Sequence, residues 1–413
     1  MKKEVLANGL TVIYEKFSGR SVVIQVMIKA GSNHENSQER GISHFLEHIL
    51  FEGTKKRLTN REISNEIEKI GGDINAYTSN ERTCFYVRVL KKHFSVAIGV
   101  LADILQNPLL RPEDIEREKN IVLKEIEMVN DEPRFYQWIL LQKTLFKKHP
   151  CRNPTYGEKE NILSLNQEKI KAYFMKYYVP NNMVISIVGD VNHWKHEVEK
   201  NFSFTRKRVV HLDLTRLEPK EKRNVVTKEK KDITNTYFIL GFKTVPKNND
   251  DAYALELVNT IMGRGQSSIM FTEIRTKLGL AYDVGSQHVA EVSYGYFALY
   301  ACVDHSNVEK TKELILKELY GLKNIPKKML KEAKTAIEGE FYLDIDDPQK
   351  RADQLLFWEQ SSSAHDINSF VAKIKAVTQK DIKRVIEKYF KNHTFVVLEG
   401  REKKRKQIKN IAH

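Results

Sequence analysis

With 413 residues, the chain is too long for one typical domain and long enough for two of about 200 residues each. A hydrophobic share of 41% beside 30% charged residues is ordinary for a globular protein and excludes large-scale disorder. The formal charge of +14 comes from lysines spread beside glutamates along the whole chain, as on solvated helix faces, and no nucleic-acid-binding motif accompanies it.

The N-terminal stretch MKKEVLANGLTVIYEK reads as a strand, a tight Asn8-Gly9 turn and a second strand. It has no apolar signal region, and no apolar run reaches the roughly 18 residues of a membrane span. Cys84, Cys151 and Cys302 are widely separated and odd in number, without a CxxC or Cys/His cluster, which fits a reducing compartment. The expectation is a soluble cytoplasmic protein with neither nucleic acid nor membrane as partner.

In ERGISHFLEHILFEGT, the apolar residues Ile42, Phe45, Leu46, Ile49 and Leu50 suit a buried helix. His44 and His48, four apart, project from one face of it with Cβ atoms roughly 5–6 Å apart. Two imidazoles at that separation can bind one Zn²⁺, and Glu47 lies on nearly the same face as His44. This is the H-x-x-E-H pattern, the inverted form of H-E-x-x-H. The five residues alone also fit a structural or exposed histidine pair. A helix begins at Pro112 and carries Glu118 and Glu125, seven apart and so on one face within about 20°. Glu113, Asp114, Glu116 and Glu127 lie on it too, and a solvated acidic stripe accounts for all of them equally well.

Three pairs of segments repeat in the same order. NEIEKIGGDINAY (65–77) echoes TEIRTKLGLAYDV (272–284), each a helix end, glycine and a strand. Leu110-Arg111-Pro112 and Asn324-Ile325-Pro326 each lead into a long helix, with proline at its first position. Residues 164–190 and 377–400 each run from a polar helix cap through a Lys-Tyr pair to a β-branched strand. The expectation is an α+β protein of two related domains, each an antiparallel sheet with long helices on one face. Domain one would span 1–205 and hold the metal; 206–222, interrupted by charge and a proline, would be the linker; domain two would span 223–413. Met262-Gly263-Arg264-Gly265-Gln266-Ser267-Ser268 lacks the Walker lysine and GxGxxG spacing and reads as a turn. The tail from Arg401 to His413 is basic and without assignable chemistry.

HFLEHILFEGT followed by Glu125 resembles the signature of the pitrilysin family, which includes insulin-degrading enzyme and the mitochondrial processing peptidase. GGDINAYTSNERTCFYVRVL (71–90), YYVPNNMVISIVGDV (177–191) and RTKLGLAYDVGS (275–286) extend the resemblance over almost the whole chain. It implies a zinc metalloendopeptidase with one Zn²⁺ held by His44, His48 and Glu125, and Glu47 as general base toward zinc-activated water. Glu118 is implied as a supporting residue behind the ligands. Asn75 and Ala76, on a strand beside the zinc, are the implied contacts to peptide or unfolded polypeptide, together with Arg275 and Tyr282. Because long relatives share their chamber between four such domains, a two-domain chain implies a homodimer, with Arg275 and Tyr282 acting on the partner's zinc site. The alternative is a catalytically silent scaffold or the regulatory subunit of a heterodimer.

Overall fold

The structure, a computed structural model, describes residues 1–205, 218 and 223–400. The expected linker, except Glu218, and the basic tail lie outside the described residues.

The first domain builds a sheet from β1 (Lys2–Val5), β2 (Thr11–Glu15), β3 (Ser21–Ile28), β4 (Asp73–Thr78), β5 (Thr83–Leu90) and β6 (Met183–Gly189). Its helices are α1 (Ile42–Ile49), α2 (Asn60–Glu68), α3 (Phe94–Gln106), α4 (Pro112–Asp131), α5 (Pro133–Leu145), α6 (Lys159–Ser164), α7 (Gln167–Tyr177) and α8 (Trp194–Asn201). The second domain has strands β7 (Val225–Lys230), β8 (Thr236–Lys243), β9 (Ala281–Ala290), β10 (Gly295–Val303) and β11 (Thr394–Glu399). Its helices are α9 (Asp251–Gly263), α10 (Val308–Gly321), α11 (Lys327–Ile345), α12 (Pro348–Ser361), α13 (Phe370–Ala376) and α14 (Gln379–Tyr389), with a π-helical segment at Met270–Lys277.

The strand orders are β1-β2-β6-β3-β5-β4 and β7-β11-β8-β10-β9. Setting β1 and α8 aside, the two domains match element for element, with the π-helical segment in the place of α2. All three sequence echoes fall on matching pairs: α2–β4 with the π segment and β9, α4 with α11, and α7–β6 with α14–β11. Gly71 at φ +72° and Gly279 at φ +60° both take the left-handed backbone before an edge strand, with nothing near enough to crowd a Cβ. Asn166 and Thr378 cap α7 and α14 through their side chains. Pro112 opens α4, whereas Pro326 is the residue just before α11.

Two features differ from the expected antiparallel sheets with helices on one face. Each sheet contains one parallel pair, β2 with β6 and β7 with β11, so both sheets are mixed. Alternation in sequence marks a strand but not its direction. Each sheet is also covered on both faces, and the second cover comes from the other domain. Along β3, Val22, Ile24, Val26 and Ile28 pack with α1 and α3, while Val23 and Met27 face the second domain's core, which includes Leu355 and Leu356 of α12. In return, Leu140, Leu141 and Leu145 of α5 pack on Ile239 of β8 and on Val396 and Leu398 of β11. Double coverage explains why SVVIQVMI is apolar on both faces. Its polar members are Ser21 at the start and Gln25, which is fully buried and bonded to Asp353 (2.8 Å) and Gln349 (3.1 Å) of α12.

Candidate metal centre

Helix α1 is short, and its first turn is held by a carboxylate from outside the helix. Glu35 accepts the N–H of Gly41 (2.8 Å) and of Ser43 (2.9 Å), two donors that no helical carbonyl can reach. Gly41 stands at φ +88°, and a Cβ there would lie 2.5 Å from the Tyr156 carbonyl, so only glycine serves. Ile42, Phe45, Leu46 and Ile49 are buried in the core, which fixes the rotation of the helix and turns His44, Glu47 and His48 toward α4 and β4. On α4, Ile115, Glu118, Val122 and Ile126 share the inward face, and Glu125 lies at its margin.

His44 Nε2 and His48 Nε2 are 3.2 Å apart, and Glu125 Oε2 is 3.7 Å from each. Two ligand atoms around a tetrahedral zinc at 2.0–2.1 Å are about 3.4 Å apart. The three atoms therefore converge as one ligand set, which matches the nitrogen-nitrogen-carboxylate donors of a catalytic zinc site. Glu118, its side chain only 6% exposed, sits 2.9 Å from His48 Nδ1. A carboxylate there demands the N–H on Nδ1, which leaves the Nε2 lone pair for the metal. Burial and the nearby His48 push His44 down to about 3, so that imidazole stays neutral. For His48, burial pulls downward, but the hydrogen bond to Glu118 and the charges of Glu47, Glu118 and Glu125 prevail and raise it. The residues present fit zinc.

Glu47 lies beside this set without joining it. Burial raises its pKa above the ordinary glutamate value, opposed by a 2.6 Å hydrogen bond from Thr78 Oγ to its Oε2. Thr78 ends β4, the edge strand that carries Asn75 and Ala76. Asn75 is exposed, and its Oδ1 accepts the Ala76 N–H at 2.8 Å. Arg275 and Tyr282 belong to the other domain, in the π-helical segment and on β9. Both are exposed, and the Arg275 guanidinium covers the Phe271 ring at 4.8 Å. The structure thus gathers His44, Glu47, His48, Glu118 and Glu125 and keeps Arg275 and Tyr282 outside the cluster. Sequence reasoning missed Thr78 and Glu35, whose roles arise only when β4 and the loop before α1 are folded beside the helix. Replacing Glu118 with Ala is expected to weaken zinc binding by about 10–100-fold with little change in fold, as read by competition with a chromogenic chelator.

The sequence matches the family model for insulinase, peptidase family M16, over residues 11–159, and that for the peptidase M16 inactive domain over 164–337. A Bacillus subtilis protein named as an uncharacterized zinc protease is 33% identical over 351 residues, 84% of this chain and 85% of the relative. A Rickettsia felis protein of the same description is 36% identical over 326 residues, 76% of this chain and 75% of the relative. Among solved structures, a Helicobacter pylori protease superposes with a TM-score of 0.90 at 22% identity, covering 96% of this chain and 99% of that one. A peptidase M16 inactive domain from Pseudomonas fluorescens superposes at 0.88 with 20% identity, covering 97% of both chains. With both family models matched and relatives at this identity, the chain belongs to the insulinase family of peptidases, M16.

Proposed function

We propose that this chain is a zinc endopeptidase acting on peptides and unfolded polypeptide segments, with His44, His48 and Glu125 as ligands and Glu47 as general base. The observation that carries it is the convergence of the three ligand atoms within 3.7 Å, with a separate half-buried carboxylate alongside. Bound there, zinc would supply Lewis-acid polarisation and make water a stronger acid. Glu47, shielded from bulk water, is a stronger base than an exposed glutamate and takes the proton of the attacking water. Its Oε2 is engaged by Thr78, which leaves Oε1 to carry that proton to the leaving amine. Glu118 fixes the ring of His48 throughout.

The free edge of β4 can add an extended peptide through backbone hydrogen bonds, which are indifferent to sequence. The Ala76 amide, held by a side-chain acceptor that can rotate away, is a natural point of attachment. Arg275 and Tyr282 would engage the same peptide from a second copy of the chain. Supporting this, the second domain packs on the face of the first sheet opposite α1, and both residues remain exposed. Mixing Glu47→Gln and Tyr282→Phe subunits is expected to restore part of the lost activity, measured with a fluorogenic peptide. No rescue despite proven subunit exchange would place their action in cis.

Thr78→Val removes a donor that favours ionised Glu47, so its pKa rises further. The base must be ionised to act. The acid limb of kcat/KM should therefore move to higher pH in the variant, and an unshifted limb would separate Thr78 from the base. The activity itself is tested by digesting a mixed peptide library with and without a chelator: chelator-sensitive internal cleavage is expected, and cleavage indifferent to chelation would remove the zinc from the mechanism.

A further inference from the structure

The match between the domains sets α9, β9 and α11 where the first domain has α1, β4 and α4, the three elements of the metal centre. There the second domain holds a cavity of about 340 Å³, within the size range of small-ligand pockets. In place of metal ligands it gathers an ion network. His288 on β9, its side chain 3% exposed, brings Nδ1 to 3.0 Å from Glu256 on α9. Arg264 joins Glu256 (3.1 Å) to Glu340 of α11 (2.9 Å). The remaining carboxylates of the lining are also paired, Glu291 with Arg82 and Asp344 with Lys350.

Two groups are left over. His288 Nε2 is buried without a hydrogen-bond partner. The Lys247 ammonium has no ion-pair partner among the described residues, and Glu256 and Glu291 act on it only from a distance. It rests instead against the rings of Trp358 (4.6 Å), Phe370 (5.2 Å) and Phe357 (5.4 Å).

We propose that this cavity binds a small carboxylate with an apolar body, the carboxylate meeting Lys247 Nζ and His288 Nε2 and the body lying on the aromatic wall. The ligand would give Lys247 the acceptor it lacks, in a charge-assisted bond. His288 becomes a donor at Nε2 when protonated, and Glu256 behind it balances that charge. The rings supply apolar surface of the kind that small-molecule sites use for affinity. A cationic ligand would face Lys247 directly, while every carboxylate of the lining is already engaged by Arg264, Arg82 or Lys350, so it gains no open acceptor.

Calorimetry on the full zinc-loaded chain compares N-acetyl-phenylalanine, its amide and phenethylamine. The acid is expected to bind at least about tenfold more tightly than the amide, with no binding of the amine. Lys247→Met should erase the preference, and the comparison of acid with amide stands even if that variant does not fold. A pentapeptide ending in phenylalanine with a free carboxylate identifies peptide ends as the natural source if it binds like the acid, and free acids if it does not. Equal binding of acid and amide, tighter binding of the amine, or binding of none at millimolar concentration would overturn the proposal. So would unchanged affinity for the acid in Lys247→Met, which would place that binding at another centre, the zinc included.

Discussion

Glu47→Gln is expected to lower peptide turnover by about 10²–10⁴-fold or more while the protein keeps its zinc. Glutamine conserves the volume of the side chain, and its amide oxygen can still accept the Thr78 hydroxyl that Glu47 Oε2 accepts at 2.6 Å. The proposed ligands His44, His48 and Glu125 are held by one another and by Glu118, not by a hydrogen bond to Glu47, so metal stoichiometry should be unchanged. What the variant cannot do is take a proton. Elemental analysis beside kcat separates the two properties. Wild-type turnover would remove Glu47 from the mechanism, and loss of zinc together with activity would make it a structural residue of the centre.

The second large effect is expected away from the site. Arg82 leaves the turn between β4 and β5, is 8% exposed, and bonds Glu291 (3.0 Å) and Gln360 (2.8 Å) of the second domain while lying over the Phe357 ring. Its neighbour Glu81 accepts the N–H groups of Val292 (2.6 Å) and Ser293 (2.9 Å) and the Ser293 hydroxyl. The turn between β4 and β5 therefore meets the matching turn between β9 and β10. Arg82→Met keeps much of the apolar stem but leaves Glu291 without its cation, at a cost of about 3–5 kcal/mol. Urea unfolding gives the number. A change below about 1 kcal/mol would rank this contact with ordinary surface pairs.

The clustering of the candidate metal-site residues was legible in the sequence because its parts are local. His44, Glu47 and His48 share one helix face, and so do Glu118 and Glu125, and a helix fixes such relations before any tertiary contact exists. The repeat was legible for the same reason, through a capped helix running into a strand and glycines at matching ends. What could not be read depends on which surfaces meet. The apolar face of PRFYQWILLQKTL says that α5 is covered, but nothing in it says that the cover is Ile239 and Val396 of the other domain. Clustered Val and Ile residues mark β2 and β6 as strands without revealing that they run parallel to each other. Thr78 is one hydroxyl at a strand end until the β4 edge is set beside α1. His288 and Lys247 offered no spacing to notice, since they stand on β9 and in the loop before α9 and their partners come from α9, α12 and α13.

The most direct test of the zinc endopeptidase is a titration of metal-free protein with zinc while cleavage of a fluorogenic peptide is followed. Activity should rise from zero in proportion to added zinc and level off at one equivalent per chain, and a His44→Ala chain should stay inactive throughout. Full activity in the metal-free protein, or none at one bound zinc per chain across a broad peptide library, would contradict the assignment.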